Sequence, residues 1–215
     1  LELKWDDIES LRDYQITYLL YKEGKNIYQI SKIRNISVEQ VNMHLISAKQ
    51  EIKDMFKSEK DIITKLLEMN KEERINTIGS LNFEQIEVLK RKLYKRILKE
   101  ENAEDLMVLI WICGELKDCR LLKLIHSNSN HPHGGVRRMA YSAMGKIGAK
   151  ESIQFLNKGI MDKKPQVRQY AAKALSKIGD KDSLKKLENL IKNPNEKEYV
   201  KKAFFEAIES IKKRY

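Results

Sequence analysis

At 215 residues, 41% of them apolar, the chain can bury one large core or two small ones, which excludes global disorder. Three prolines and nine glycines leave few breakers, and no alternating β-branched run stands between turn signals, so the composition points to an all-α fold. Net charge is +11, yet residues 1–56 carry 8 Lys/Arg against 9 Asp/Glu and residues 57–105 carry 11 of each; an excess of 12 positive charges therefore lies from Leu106 onward and points to an anionic partner there.

The charged start, Leu1 to Asp7, is not a signal peptide, and no stretch approaches the ~20 apolar residues of a membrane span, so the chain reads as cytoplasmic with no membrane partner. It begins without Met, which leaves residues upstream of Leu1 open. A first domain is expected over residues 1–56. Ile8, Leu11, Ile16, Leu19 and Leu20 share one face of a helix from Trp5 to Tyr21, ended by Gly24. Ile27, Ile30 and Ile33 mark a short second helix. Ser37, followed three residues later by Gln40, forms a capping box that opens a third. That helix buries Val41, Leu45, Ala48 and Ile52 and turns Glu39, Gln40, Asn42, Met43, Ile46, Ser47 and Gln50 outward.

The stretch from Asp13 to Ile52 resembles the helix-turn-helix of sigma-factor region 4 and the related response-regulator output domains, through Ile27-Tyr28-Gln29-Ile30-Ser31 and Ser37-Val38-Glu39-Gln40-Val41-Asn42-Met43-His44-Leu45. The resemblance implies that the third helix enters the major groove of double-stranded DNA, with Gln40, Asn42, Met43, Ser47 and Gln50 reading base edges. Asn and Gln suit adenine, and the shortage of basic residues implies weak intrinsic affinity and an A·T-leaning site. Lys49 is the basic residue placed to touch backbone. His44, beside the buried stripe, reads as packed.

Residues 57–105 are expected to form a connector of three helices: Asp61 to Met69, about Glu72 to Leu81, and a third with Asn82 as N-cap running to Leu98 with Ile86, Leu89, Leu93 and Ile97 as its stripe. The basic run Lys90 to Arg96 reads as a solvated face.

From 106 to 215 the chain repeats itself at an offset of 31. Val136-Arg137-Arg138-Met139-Ala140 aligns with Val167-Arg168-Gln169-Tyr170-Ala171, and Lys146-Ile147-Gly148 with Lys177-Ile178-Gly179. Ser152, Ile153 and Leu156 fall on Ser183, Leu184 and Leu187. Shifted backward, Leu109, Ile112 and Gly114 fall on Ala140, Ala143 and Gly145; forward, Val200, Phe204 and Ala207 follow after a two-residue insertion. Three helical pairs and a lone last helix result. Small alanines let helices approach, and Gly148 and Gly179 are expected to end first helices in the left-handed conformation. The segment resembles HEAT repeats of the phycobilin-lyase type, a resemblance that implies a structural role for Arg137 and Arg168 in tying adjacent repeats.

Lysines recur in register: Lys146 with Lys177, Lys150 with Lys181, and Lys123 with Lys185, interrupted by Gln154. Such columns, expected to be exposed, suit a phosphate backbone or merely solubilise the surface. Cys113 and Cys119 match no common zinc spacing and read as reduced structural thiols, and the histidines 126, 131 and 133 lack a fitting further ligand, so no metal or cofactor is expected. Trp111 lies on an apolar stripe. No nucleophile triad, phosphate loop or paired carboxylate offers a catalytic residue or a small-molecule substrate. The expected function is a non-enzymatic, sequence-specific DNA-binding protein, a transcriptional or mobile-element regulator, whose helical repeats hold backbone. The alternatives are a HEAT-repeat adaptor for a protein partner and a base-excision enzyme on a HEAT scaffold.

Overall fold

The computed structural model describes Trp5, residues 11–58 and residues 61–215, with the side chains of 52–58 outside the description. Thirteen α-helices and no strand occur among the described residues, so the fold is all-α. The chain divides into two compact units between Lys65 and Leu66.

In the first unit, α1 (Asp13–Lys22), α2 (Ile27–Arg34) and α3 (Val38–Ser58) enclose a core of Leu20, Ile30, Val41 and Leu45, flanked by Tyr18, Ile27 and Ile36. The helix expected from Trp5 begins only at Asp13, because Arg12 is extended and gives its N–H to Gln15 Oε1 at 2.8 Å. Ile8 and the expected burial of Ile52 lie outside the described residues. Val41, Leu45 and Ala48 are buried as their spacing requires. A capping box at Asn26 and Gln29 starts α2, and the one at Ser37 and Gln40 starts α3, with bonds of 2.9 and 3.1 Å. Each such cap stabilises its helix by about 1 kcal/mol. Between the two helices Asn35 takes a left-handed φ of 51°, and the Ile36 N–H returns to the Ser31 carbonyl.

The second unit follows from within α4 (Ile62–Glu68), through α5 (Lys71–Ser80) and α6 (Phe83–Ile97), to the repeats. Asn82 caps α6 as expected, and Leu89, Leu93 and Ile97 are buried. Lys90 does not belong to a solvated run. It is half-buried and pairs with Glu87 at 2.9 Å and Asp118 at 2.6 Å, while Arg120 also binds both carboxylates. These hydrogen bonds, Arg120's first, hold the Glu87 carboxyl down at about 2. The cluster ties α6 to the segment after α7 (Ala103–Leu116).

The repeats form two layers. The long helices α7, α9 (Gly134–Ile147), α11 (Pro165–Ile178) and α13 (Glu198–Lys212) pack in a row, each against the next; the shorter α8 (Leu122–Ser127), α10 (Ile153–Gly159) and α12 (Lys181–Leu190) lie on α9, α11 and α13. The row is close because glycine meets alanine: a Cβ on Gly145 would sit 2.8 Å from Ala174 Cβ, and one on Gly114 would sit 2.9 Å from Ala143 Cα. Gly148 ends α9 at φ +74°, as expected. Gly179 does not repeat it. Its φ is −56°, Asp180 caps α12 at once, and glycine is needed there for space, a Cβ meeting the Leu175 carbonyl oxygen and Ile211 Cδ1, each at 2.7 Å.

Cys113 is buried, and burial pushes its thiol up to about 12, which fits a structural thiol; Cys119 is exposed and is not one. Iodoacetamide on the folded chain is therefore expected to label Cys119 alone, with Cys113 reacting only in denaturant; mass spectrometry of the labelled peptides reads the difference.

Candidate nucleic-acid interface

The outward side of α3 is set by the helix period and by the core beneath it. Asn42, Met43 and Ser47 are exposed, Gln50 continues the row one turn on, and Met43 and Ile46 remain 65% and 68% accessible. Gln40 is also exposed, but its Oε1 accepts the Ser37 N–H, so it cannot offer oxygen and nitrogen together to a base while the cap holds. Lys49 leans on Tyr21, its Nζ 5.3 Å from the ring centroid.

A polar seam behind α3 holds it in place. His44 is packed, as expected, with Nδ1 3.0 Å from Thr17 Oγ1; Arg34 donates to the same hydroxyl at 2.8 Å and to Asp13 Oδ1 at 2.9 Å. Gln15 Nε2 donates to Glu51 Oε2 at 2.9 Å. Thr17 is wholly buried, so these bonds meet groups that would otherwise be unsatisfied. Sequence periodicity missed the seam because its residues lie among apolar positions without being apolar.

In the repeat unit the arginines at register 137 and 168 are structural. Arg137 pairs with Asp162 at 2.7 Å and donates to the carbonyls of His131 and Pro132; Arg168 pairs with Glu196 at 2.6 Å and donates to the Asp162 carbonyl. Each arginine thus binds the loop before its own helix and an acid in the loop that follows the next short helix. Burial alone would raise the Asp162 carboxyl, but the bonds from Arg137 and the Lys164 N–H hold it below its usual range.

The expected lysine columns separate into distinct roles. Lys123, Lys150 and Lys185 are exposed, on α8, just before α10 and on α12, and hold no ion pair among the described residues. Lys181 lies 5.5 Å from the Tyr215 ring, and Lys177 Nζ donates to the Gly145 carbonyl at 3.2 Å. Lys146 is not the exposed residue expected: it is half-buried, bonded to Glu115 at 2.5 Å and set 5.1 Å from the Trp111 ring. The same register that repeats Lys146 at Lys177 places Glu115 one repeat earlier, so its charge is met within the stack. Two further cations lie on the long-helix layer, Arg138 and Lys173, at 5.4 and 5.8 Å from the Tyr170 ring. Self-comparison could not find them, because Gln169 and Ser142 occupy their register positions.

Among the described residues no three His, Cys, Asp or Glu side chains gather as a metal site. His126 bonds Ser152 and stacks on Phe155, while His131 accepts the His133 N–H.

Residues 13–101 match the family described as a helix-turn-helix domain, and residues 121–209 match HEAT repeats. The chain joins a helix-turn-helix domain to a stack of HEAT repeats. No curated protein matches it in sequence. Both families are binding and scaffold types: the helix-turn-helix domain suggests nucleic-acid binding and the HEAT stack suggests an interaction scaffold. The helix-turn-helix match continues through α6, past the division at Lys65, while α6 is clamped to Asp118 and Arg120 just before the HEAT match begins. No helix among the described residues is long and apolar enough to cross a membrane.

Proposed function

We propose that this protein binds double-stranded DNA sequence-specifically as a transcriptional or mobile-element regulator, with α3 of the helix-turn-helix domain reading bases and the HEAT stack holding backbone. The observation that carries the reading is the outward row Asn42, Met43, Ser47 and Gln50 on a capped helix fixed by the seam beneath it. Amide side chains pair with adenine N6 and N7, and the exposed Met43 and Ile46 suit thymine methyls, which supports an A·T-leaning site. Gln40 serves the cap and drops out of the reading set. The near-neutral charge of residues 1–56 leaves backbone affinity to the cations after Leu106, among which Lys123, Lys150, Lys181 and Lys185 are exposed and recur at the repeat register.

Selection of bound duplexes from a random library with the full chain tests the proposal. On the selected site, Asn42→Ala is expected to cost about 1–3 kcal/mol, with little change on random duplex, because base contacts specify and phosphate contacts position. Equal losses on both duplexes would remove Asn42 from the reading set.

A further inference from the structure

In the row of long helices each helix turns one side toward the next, and the repeat register shows which positions do so. Gly114 of α7 and Gly145 of α9 share a position where the following helix comes closest, a Cβ on Gly145 meeting Ala174 Cβ at 2.8 Å. Ile110, Tyr141 and Ala172 share a second such position and are 0%, 3% and 0% exposed; a Cβ on Gly159, in the short helix of the following repeat, would meet Tyr141 Cζ at 2.7 Å. On α13 these two positions hold Glu209 and Phe205. No helix follows α13 among the described residues, and Phe205 is 58% exposed. A glutamate where glycine lets two helices touch does not admit another repeat of the same kind. The face is built for a different neighbour.

The helix period places Glu198, Lys202, Phe205, Glu206, Glu209 and Lys213 within about 100° of arc, opposite the buried Val200, Phe204, Ala207 and Ile211. All six are exposed. Lys202, Glu209 and Lys213 hold no ion pair among the described residues, whereas Lys212 beside them bonds Glu188 and Lys201 bonds Glu198. Along the middle of the face the order is Glu198, Lys202, Phe205, Glu209, Lys213: acid, base, aromatic, acid, base. Read from the other end, the order of charge is inverted. A second α13 laid antiparallel therefore meets the first with opposite charges, Lys202 facing Glu209 and Lys213 facing Glu198, and with Phe205 at the centre of both. A parallel copy would set each charge against its like.

We infer that two copies of this chain associate through α13, packed antiparallel about a two-fold axis beside Phe205. Symmetry makes every contact twice, so the face supplies two Lys202 to Glu209 pairs, two Lys213 to Glu198 pairs and one contact between phenylalanines. Glu206 lies at the edge of the face, one turn from Lys202, and meets its own copy in solvent, where like charges cost little. The contact is one helix long, below the ~1,200 Å² of a stable interface, so the association is weak and reversible. Joined to the DNA reading proposed above, it brings two helix-turn-helix domains into one two-fold assembly, which favours sites made of inverted half-sites. The association itself needs no DNA, so it stands or falls apart from that reading.

The test is sedimentation equilibrium of the full chain without DNA, from roughly 10 μM to 1 mM, the range in which so small a contact shows itself. Salt of about 0.15 M screens the net positive charge of the two copies. The parent is expected to dimerise. Lys202→Glu and Glu209→Lys, each a change at an exposed position that keeps the fold, are each expected to weaken dimerisation by about tenfold, since one reversal turns two attractions into two repulsions. Phe205→Ala is expected to weaken it by a similar factor. The double variant Lys202→Glu with Glu209→Lys restores both pairs with their signs exchanged and is expected to return to within about twofold of the parent. An equimolar mixture of the two single variants is expected to form mixed dimers at parental strength, because each then carries what the other lacks. A parent that stays monomeric to the top of the range, single variants that associate as the parent does, or single variants that fail to pair when mixed overturn the inference.

Discussion

Replacing Lys123, Lys150, Lys181 and Lys185 together by glutamate in the full chain is expected to lower DNA affinity by roughly two orders of magnitude and to flatten its salt dependence. Each phosphate neutralised contributes ~0.9 to the slope of log K against log salt, so loss of four contacts reduces it by about 3 to 4. All four side chains are exposed, and surface changes of this kind cost little stability, which circular dichroism checks. Lys146 is kept out of the set because its reversal would put two carboxylates together at Glu115 and so mix folding with binding. A folded quadruple variant that keeps the parental slope would show that the repeats do not hold DNA. The HEAT stack would then be left to the adaptor role.

Arg168→Ala is expected to destabilise the chain by about 3–5 kcal/mol, the cost of leaving a buried charge unpaired. Glu196 is 5% exposed at its side chain and Arg168 is its partner, and the Asp162 carbonyl loses a donor at the same time. Arg137→Ala should act alike, since Arg137 and Asp162 are 7% and 11% exposed and two loop carbonyls depend on the guanidinium. Pairing Arg137→Ala with Asp162→Ala should cost less than Arg137→Ala alone, because no bare carboxylate remains. Urea unfolding midpoints compare the three variants. A midpoint for Arg168→Ala within error of the parent would remove the arginine ladder as the fastening between repeats.

The parts of this molecule that depend on residues a few positions apart were legible in the sequence. Ser37 with Gln40 and Asn82 at the head of α6 cap their helices as read, because the bonded partners lie within one turn. The HEAT register was legible for a different reason. Each repeat makes the same contact with its neighbour, so the constraint is written several times, as at Arg137 and Arg168. What only the tertiary structure decided are the places where a residue meets a partner on another helix. Gly179 needs its glycine for space against the Leu175 carbonyl and Ile211 and not for a left-handed turn, and Lys146 finds Glu115 on the neighbouring helix. Ser183 gives its hydroxyl to Asp180, where Ser152 one repeat earlier meets His126, a difference no periodicity signals. A hydrogen-bonding group takes whichever partner the packed fold brings nearest. That choice is made across the space between helices, where the order of residues along the chain no longer ranks the candidates.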